Sequence, residues 1–173
     1  PYSSNLPAME YGSLEGELGL SGPISFVDVK LGFDFACALV DSGQIICWGN
    51  HSLSAEAALL NDDGTMALLD VAAVSLDCGE EHACALLAGG EAICWGSGED
   101  GQLGDGRASR QVVPVQVGES GEWSGSIGVG EVQACALRSD GTIGCWGIRM
   151  CGALGDGVEL PADSWFEPVV GVQ

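Results

Sequence analysis

Three stretches of this chain are variants of one pattern: CALVDSGQIICWG (37–49), CALLAGGEAICWG (84–96) and CALRSDGTIGCWG (135–147). Each opens on Cys-Ala-Leu and closes on Cys-Trp-Gly, with its two cysteines ten residues apart. Equivalent cysteines recur after 47 and then 51 residues. A spacing of that size marks a repeat architecture in which each unit buries its apolar surface only against its neighbours. It fits one four-stranded blade per unit, and so an all-β partial β-propeller of about three blades.

The geometry of the repeated stretch follows from its turn. Asp41, Ser42 and Gly43 form a three-residue loop ending in glycine, the signature of a type I turn followed by a left-handed residue in a G1 bulge. Val40 then faces Gln44 as the hydrogen-bonded closing pair. Alternation outward makes Leu39 with Ile45, and Cys37 with Cys47, non-hydrogen-bonded pairs, where opposed Cα atoms come within reach of a sulfur bridge. The same count sets Cys84 opposite Cys94 around Gly90, and Cys135 opposite Cys145 around Gly141. Three turns and three cysteine pairs agree on one register.

Composition narrows the class. The 28 glycines among 173 residues lack collagen periodicity and suit the many tight turns of an all-β chain. Eight cysteines, six of them in matched pairs, point to an oxidising compartment: the cell exterior or surface, with the periplasm also open. Zinc is the competing reading, but it wants short CxxC-like spacings converging on one site. The charge is lopsided, with 25 acidic residues against five basic ones, a formal −20, and Lys30 is the only lysine. Such a surface repels phosphate backbones and anionic lipids, which disfavours nucleic acid and membrane surfaces as partners. It serves solubility, or it steers a basic partner. No stretch approaches the roughly 18 apolar residues of a membrane span. A chain that opens on Pro1 reads as a processed or excised segment.

Taken in order, residues 1–22 read as the tail of a preceding blade. YGSLEGELG (11–19) parallels WGSGEDGQLG (95–104) and WGIRMCGALG (146–155), with Tyr11 in place of tryptophan. Unit one, 23–70, starts with the alternating strand FVDVKLG (26–32); behind its hairpin, 50–64 leaves the GxLG pattern, and Ser54 to Leu60 is helix-compatible. Unit two, 71–118, starts with VAAVSLDCG (71–79) and runs through GQLGDG (101–106) to QVVPVQV (111–117). Pro114 puts that last strand at a sheet edge, because proline cannot donate to a ladder. Unit three, 119–173, begins near Trp123 and passes through SIGVG (126–130) and GALGDG (152–157). It closes with FEPVVGVQ (166–173), where Pro168 matches Pro114 and the next unit would start.

The order of inner strand, glycine, hairpin ending in WG, GxLG loop and proline-bearing outer strand resembles the regulator of chromosome condensation (RCC) repeat. That resemblance implies a seven-bladed ring of which this chain forms part. The paired cysteines are similar to those of secreted bacterial members. Two family modes come with the resemblance: guanine nucleotide exchange with chromatin binding, which acidity and disulfides disfavour here, and inhibition of β-lactamases by a secreted propeller, which they do not. Fold analogy alone does not transfer either.

Within each hairpin, alternation puts Cys37, Leu39, Ile45 and Cys47 on one face and Ala36, Ala38, Ile46 and Trp48 on the other. Both faces are apolar, as befits a blade between two others. Trp48, Trp95 and Trp146 recur at one repeat position and so read as packing residues. An ultraviolet-B photoreceptor with the RCC fold uses clustered tryptophans as its chromophore, and recurrence argues against that role here. Cys78 and Cys151 stand outside the pattern; a bridge between blades, or to another chain, is expected of them. Asp105 and Asp156, with Glu99 and Asp100, are calcium candidates, as is Asn61–Gly64. Acceptance of their own turns' amides is the simpler account of both.

His51 and His82 have no repeated partner, and no nucleophile elbow, phosphate loop or histidine pair is present. No catalytic residue, cofactor or resident metal is therefore expected. The sequence reads as a non-enzymatic extracellular interaction or structural module. Its partner is a protein, or a flanking segment or second copy of the chain that completes the ring. Two alternatives stay open: a secreted inhibitor of the β-lactamase-inhibitor kind, and a surface hydrolase using loop carboxylates.

Overall fold

The computed structural model of the chain describes residues 24–49, 67–149 and 152–155. Their eleven strands gather into three antiparallel sheets, each a meander in chain order. The first holds β1 (Phe26–Leu31), β2 (Phe35–Val40), β3 (Ile45–Gly49) and β4 (Ala67–Leu69). The second holds β5 (Ala73–Cys78), β6 (His82–Leu87), β7 (Ala92–Gly96) and β8 (Gln111–Val117). The third holds β9 (Trp123–Val129), β10 (Gln133–Arg138) and β11 (Ile143–Gly147). Pro114 lies on β8, an edge strand, as its missing N–H requires. The expected helix at 54–60, the leading fragment 1–22 and the closing strand 166–173 lie outside the described residues.

The hairpin register is the one the turns dictate. Val40 N–H donates to the Gln44 carbonyl at 2.8 Å, Leu87 to Glu91 at 2.8 Å and Arg138 to Thr142 at 2.8 Å. The closing glycines Gly43, Gly90 and Gly141 take φ of +89°, +84° and +87°, which a side chain would strain. Cys37 pairs with Cys47, Cys84 with Cys94 and Cys135 with Cys145 across the ladders, and all three pairs are disulfides with Cα atoms 4.0 to 4.1 Å apart. A bulge interrupts each inner strand at the same place: at Val27, at Val74, and around Gly125 and Ser126.

Alternation then decides how the blades stack. Cys37, Leu39, Ile45 and Cys47 of the first blade share a buried cluster with Leu76, Ala83, Ala85 and Trp95 of the second. Cys84, Leu86, Ala92 and Cys94 of the second share the next with Trp123, Ile127, Ala134, Ala136 and Trp146 of the third. The disulfide face of one blade therefore meets the alanine–tryptophan face of the next. Alanine lets the sheets approach, and indoles fill the gap: Trp95 at the first junction, Trp123 and Trp146 at the second. Burying such a ring removes roughly 200 Å² from water, on the order of 5 kcal/mol before ordering costs.

Backbone and carboxylate clasps fix the stacking order. The Gly43 carbonyl accepts from Ala73 N–H at 2.9 Å, and Gly90 likewise from Trp123 at 3.0 Å. Asp77 bridges two inner strands: Oδ1 accepts Cys78 N–H at 3.0 Å, and Oδ2 accepts Val129 N–H at 2.8 Å.

The expected bridge between Cys78 and Cys151 has its second partner outside the described residues. Cys78 is a buried free thiol, on the same face of β5 as Leu76, hydrogen-bonded to the Cys37 backbone of the preceding blade.

Candidate functional site

The inner strands β1, β5 and β9 lie side by side, and all three end in the same way. Gly32, Gly79 and Gly130 turn the chain back by donating to the carbonyls of Phe35, His82 and Gln133 at 2.9, 2.8 and 2.8 Å. The following residue is thrust out at each tip: Phe33, Glu80 and Glu131. With Leu31, Cys78 and Val129 these tips line a shallow cleft of about 430 Å³. Phe33 N–H donates to the Glu80 carbonyl at 3.0 Å, tying the first tip to the second. A Cβ at Gly79 would collide with the Gly130 carbonyl and the His82 ring, so only glycine lets the tips sit this close.

The cleft is apolar on one side and acidic on the other. Leu31 and Phe33 are 74% and 77% exposed, unusual for side chains of their size. Partial loss of water and the neighbouring Glu131 carboxylate, to which it is hydrogen-bonded, raise the Glu80 pKa above its ordinary value. Touching carboxylates are too close to flank a glycosidic bond as acid and base, which need roughly 5 to 9.5 Å between them. The pair suits a cation better than a hydrolysis.

Beneath the tips, His82 is fully buried, and neither ring nitrogen has a hydrogen-bond partner. Burial drives its pKa down from 6.5 to about 4, so the ring is neutral and serves as packing where the first repeat has Phe35. Burial, and then the Asp77 charge, push the Cys78 thiol up to about 12, which makes it a poor nucleophile. Of the calcium candidates, Asp105 Oδ1 accepts Arg107 N–H at 3.0 Å, the turn-stabilising role. Among the described residues no group of three or more metal-ligating side chains converges. Asp156, His51 and Asn61–Gly64 lie outside the described residues.

The tryptophans divide their labour in a way that the repeats alone did not show. Trp95 and Trp146 are 0% and 2% exposed; Trp48 is half-buried. The Trp146 indole N–H donates to the Gln102 carbonyl, in the GxLG loop of the preceding unit, at 3.0 Å. Gly104 of that loop leaves room for it: a Cβ there would sit 2.8 Å from Trp146 Cδ1. Trp123, noticed in the sequence only as a unit start, is buried with its ring centroid 5.3 Å from that of Trp146. Arg138 lies 5.4 Å over the Trp123 ring and pairs with Glu122 at 3.2 Å. The available signal was Gly144, which stands where the other copies have Ile46 and Ile93, and on whose space Trp123 closes.

Sequence profiles of the regulator of chromosome condensation (RCC1) repeat match residues 26–53, 73–102 and 89–136, together more than half of the chain. The chain belongs to the RCC1 repeat family. No curated protein sequence matches it significantly. Its fold is similar to Prp20p from Saccharomyces cerevisiae, described by its binding to Gsp1p and histones, with a TM-score of 0.67 at 20% identity over 87% of this chain and 37% of that one. Human WBSCR16 is similar to the same degree, at 0.67 and 21% identity over 87% of this chain and 40% of its own. The ectodomain of the receptor kinase CR4 from Physcomitrella patens is similar at 0.50 and 22% identity, over 70% of this chain and 29% of that one. The RCC1 segment thus spans about two fifths of the length of the first two structures, and at these identities the likeness is one of fold.

Proposed function

We propose that the chain is a non-enzymatic, extracellular protein-interaction module built from RCC1 repeats, and that its partner presents a basic side chain to the cleft at the inner-strand tips. The cleft itself carries this reading. Leu31, Phe33 and Val129 offer apolar walls for an alkyl stem, and Glu80 beside Glu131 forms a paired acceptor for its charged head. The overall −20 charge steers such a partner inward. The three disulfides support an oxidising compartment. Two relatives in fold support the mode: Prp20p binds proteins, and CR4 carries the fold in an ectodomain.

The test is selection of displayed random peptides on the oxidised chain. Selected peptides should carry Lys or Arg beside an apolar residue, and should lose at least about tenfold in affinity against Glu80→Gln/Glu131→Gln and in high salt. Selection of peptides without basic residues, or indifference to the double substitution, would overturn the proposal.

A further inference from the structure

Cys37, Cys47 and Cys78 share one buried cluster between the first and second blades; the first two are bridged and the third is a free thiol. The next junction shows what this position does. Cys78 pairs with Ala83 on β6, and Val129 pairs with the matching Ala134 on β10. Val129 packs against the cluster that holds Cys84 and Cys94. At both junctions, then, a side chain at this position enters the core that contains the preceding blade's disulfide. At the second junction it is inert valine, and at the first it is a nucleophile.

The hydrogen bond to the Cys37 backbone places the Cys78 thiol at a residue whose own sulfur forms the bridge. Burial, and then the Asp77 charge, hold that thiol protonated, while the nearby Lys30 charge favours its thiolate. Cys78 also lines the cleft at the inner-strand tips, so parting of the tips brings water to it. A thiol that is silent in the closed core is thereby returned toward the ordinary thiol range when the core opens.

We propose that Cys78 is an exchange partner of the Cys37–Cys47 bridge, and that the brace of the first hairpin passes to the junction between blades as a Cys37–Cys78 bridge. The step is a thiol–disulfide exchange and needs no oxidant. The Cys78 thiolate attacks Cys37 Sγ; the Cys78–Cys37 bond forms, the Cys37–Cys47 bond breaks, and Cys47 leaves as a thiolate that takes up the proton Cys78 gave up. Cys37 is the sulfur attacked because its residue is the one that Cys78 contacts. The product ties β2 to β5 and closes a much longer loop than the hairpin bridge does, which restricts the unfolded chain more. The first hairpin then rests on its ladder and packing. The inference is independent of the peptide-binding proposal, because it concerns the sulfurs of the core and not the acidic pair at the tips.

Peptide mapping without reduction tests it on the oxidised full chain. Free thiols are trapped by excess N-ethylmaleimide in denaturant at about pH 6, where alkylation outruns exchange. Of Cys37, Cys47 and Cys78, only Cys78 should carry label in freshly oxidised protein. After a day at about pH 9, at least about a tenth of the chains should carry label on Cys47 together with a Cys37–Cys78 bridge, while Cys84 and Cys94 stay unlabelled. Cys47→Ser removes the competing pairing and should acquire the Cys37–Cys78 bridge on air oxidation, with an unchanged circular dichroism spectrum. A Cys37–Cys47 bridge intact in every chain after the alkaline hold overturns the proposal, as do unbridged Cys37 and Cys78 in folded Cys47→Ser. A map that joins Cys78 to Cys151 overturns it too. So does label on Cys47 in Cys78→Ser, or equal labelling of Cys94, either of which would mark simple alkaline opening of the bridges.

Discussion

His82 shows how far one residue can depart from its repeat. The first copy has Phe35 and the third Gln133 at that position, and the second places an imidazole with no hydrogen-bond partner in the same buried slot. Folding holds the ring neutral, with its pKa lowered from 6.5 to about 4. The unfolded chain therefore binds more protons between those values. Stability contributed by the neutral ring is complete above the unfolded value and is lost as pH falls through 6.5 toward about 4. That difference corresponds to roughly 3 kcal/mol at most. His82→Phe should flatten this part of the pH dependence while leaving neutral-pH stability within about 1.5 kcal/mol. Urea unfolding of both proteins across the acid range measures it; equal slopes would show that the ring finds a partner when charged.

At the scale of the element, the hairpin was legible because its information is local. The glycine of the turn fixes the loop length, the loop length fixes the register, and the register brings Cys37 to Cys47 at a Cα separation of 4.0 Å. The division of β2 and β3 into two faces was equally plain, because period two is all it needs. Trp123 was not readable in this way. It appears at its position once, and the void it fills is made by Gly144 on another strand. The surroundings of Cys78 were hidden for a related reason: residue counts along the chain do not say which neighbouring blade a strand's face meets. The hairpin disulfide closes a loop of about ten residues, and its removal should cost on the order of 2 to 3 kcal/mol. Cys84→Ala/Cys94→Ala should show that loss in thermal unfolding, without change in the strand signal of the folded protein. A loss well beyond this would mean that the sulfurs also serve the packing with Trp146, in whose cluster they lie.

At the scale of the whole molecule, stability is a sum over neighbours. Each described blade is joined to the next by an apolar cluster, a turn carbonyl and, between the second and third, the Asp77 carboxylate. The first blade has Lys30 at the position of Asp77, and the third has Gly128, so this clasp is specific to one junction. Asp77→Ala leaves two inner-strand N–H groups without their acceptor. It should cost about 1 to 3 kcal/mol, with amide exchange rising at Val129 and Ile127 before the first blade is affected. Uniform loss of protection across all three blades would instead show that they unfold as one cooperative body.

The bond from the Trp146 indole to the Gln102 carbonyl bears on how such chains can be recombined. A cut drawn between two sheets would part an indole from the glycine-lined seat that another repeat holds for it. A graft of the third blade should therefore carry the GxLG segment of Gln102 and Gly104 along with the sheet it seats. The unit that can be inherited or grafted is one loop out of step with the unit that the eye picks out as a blade.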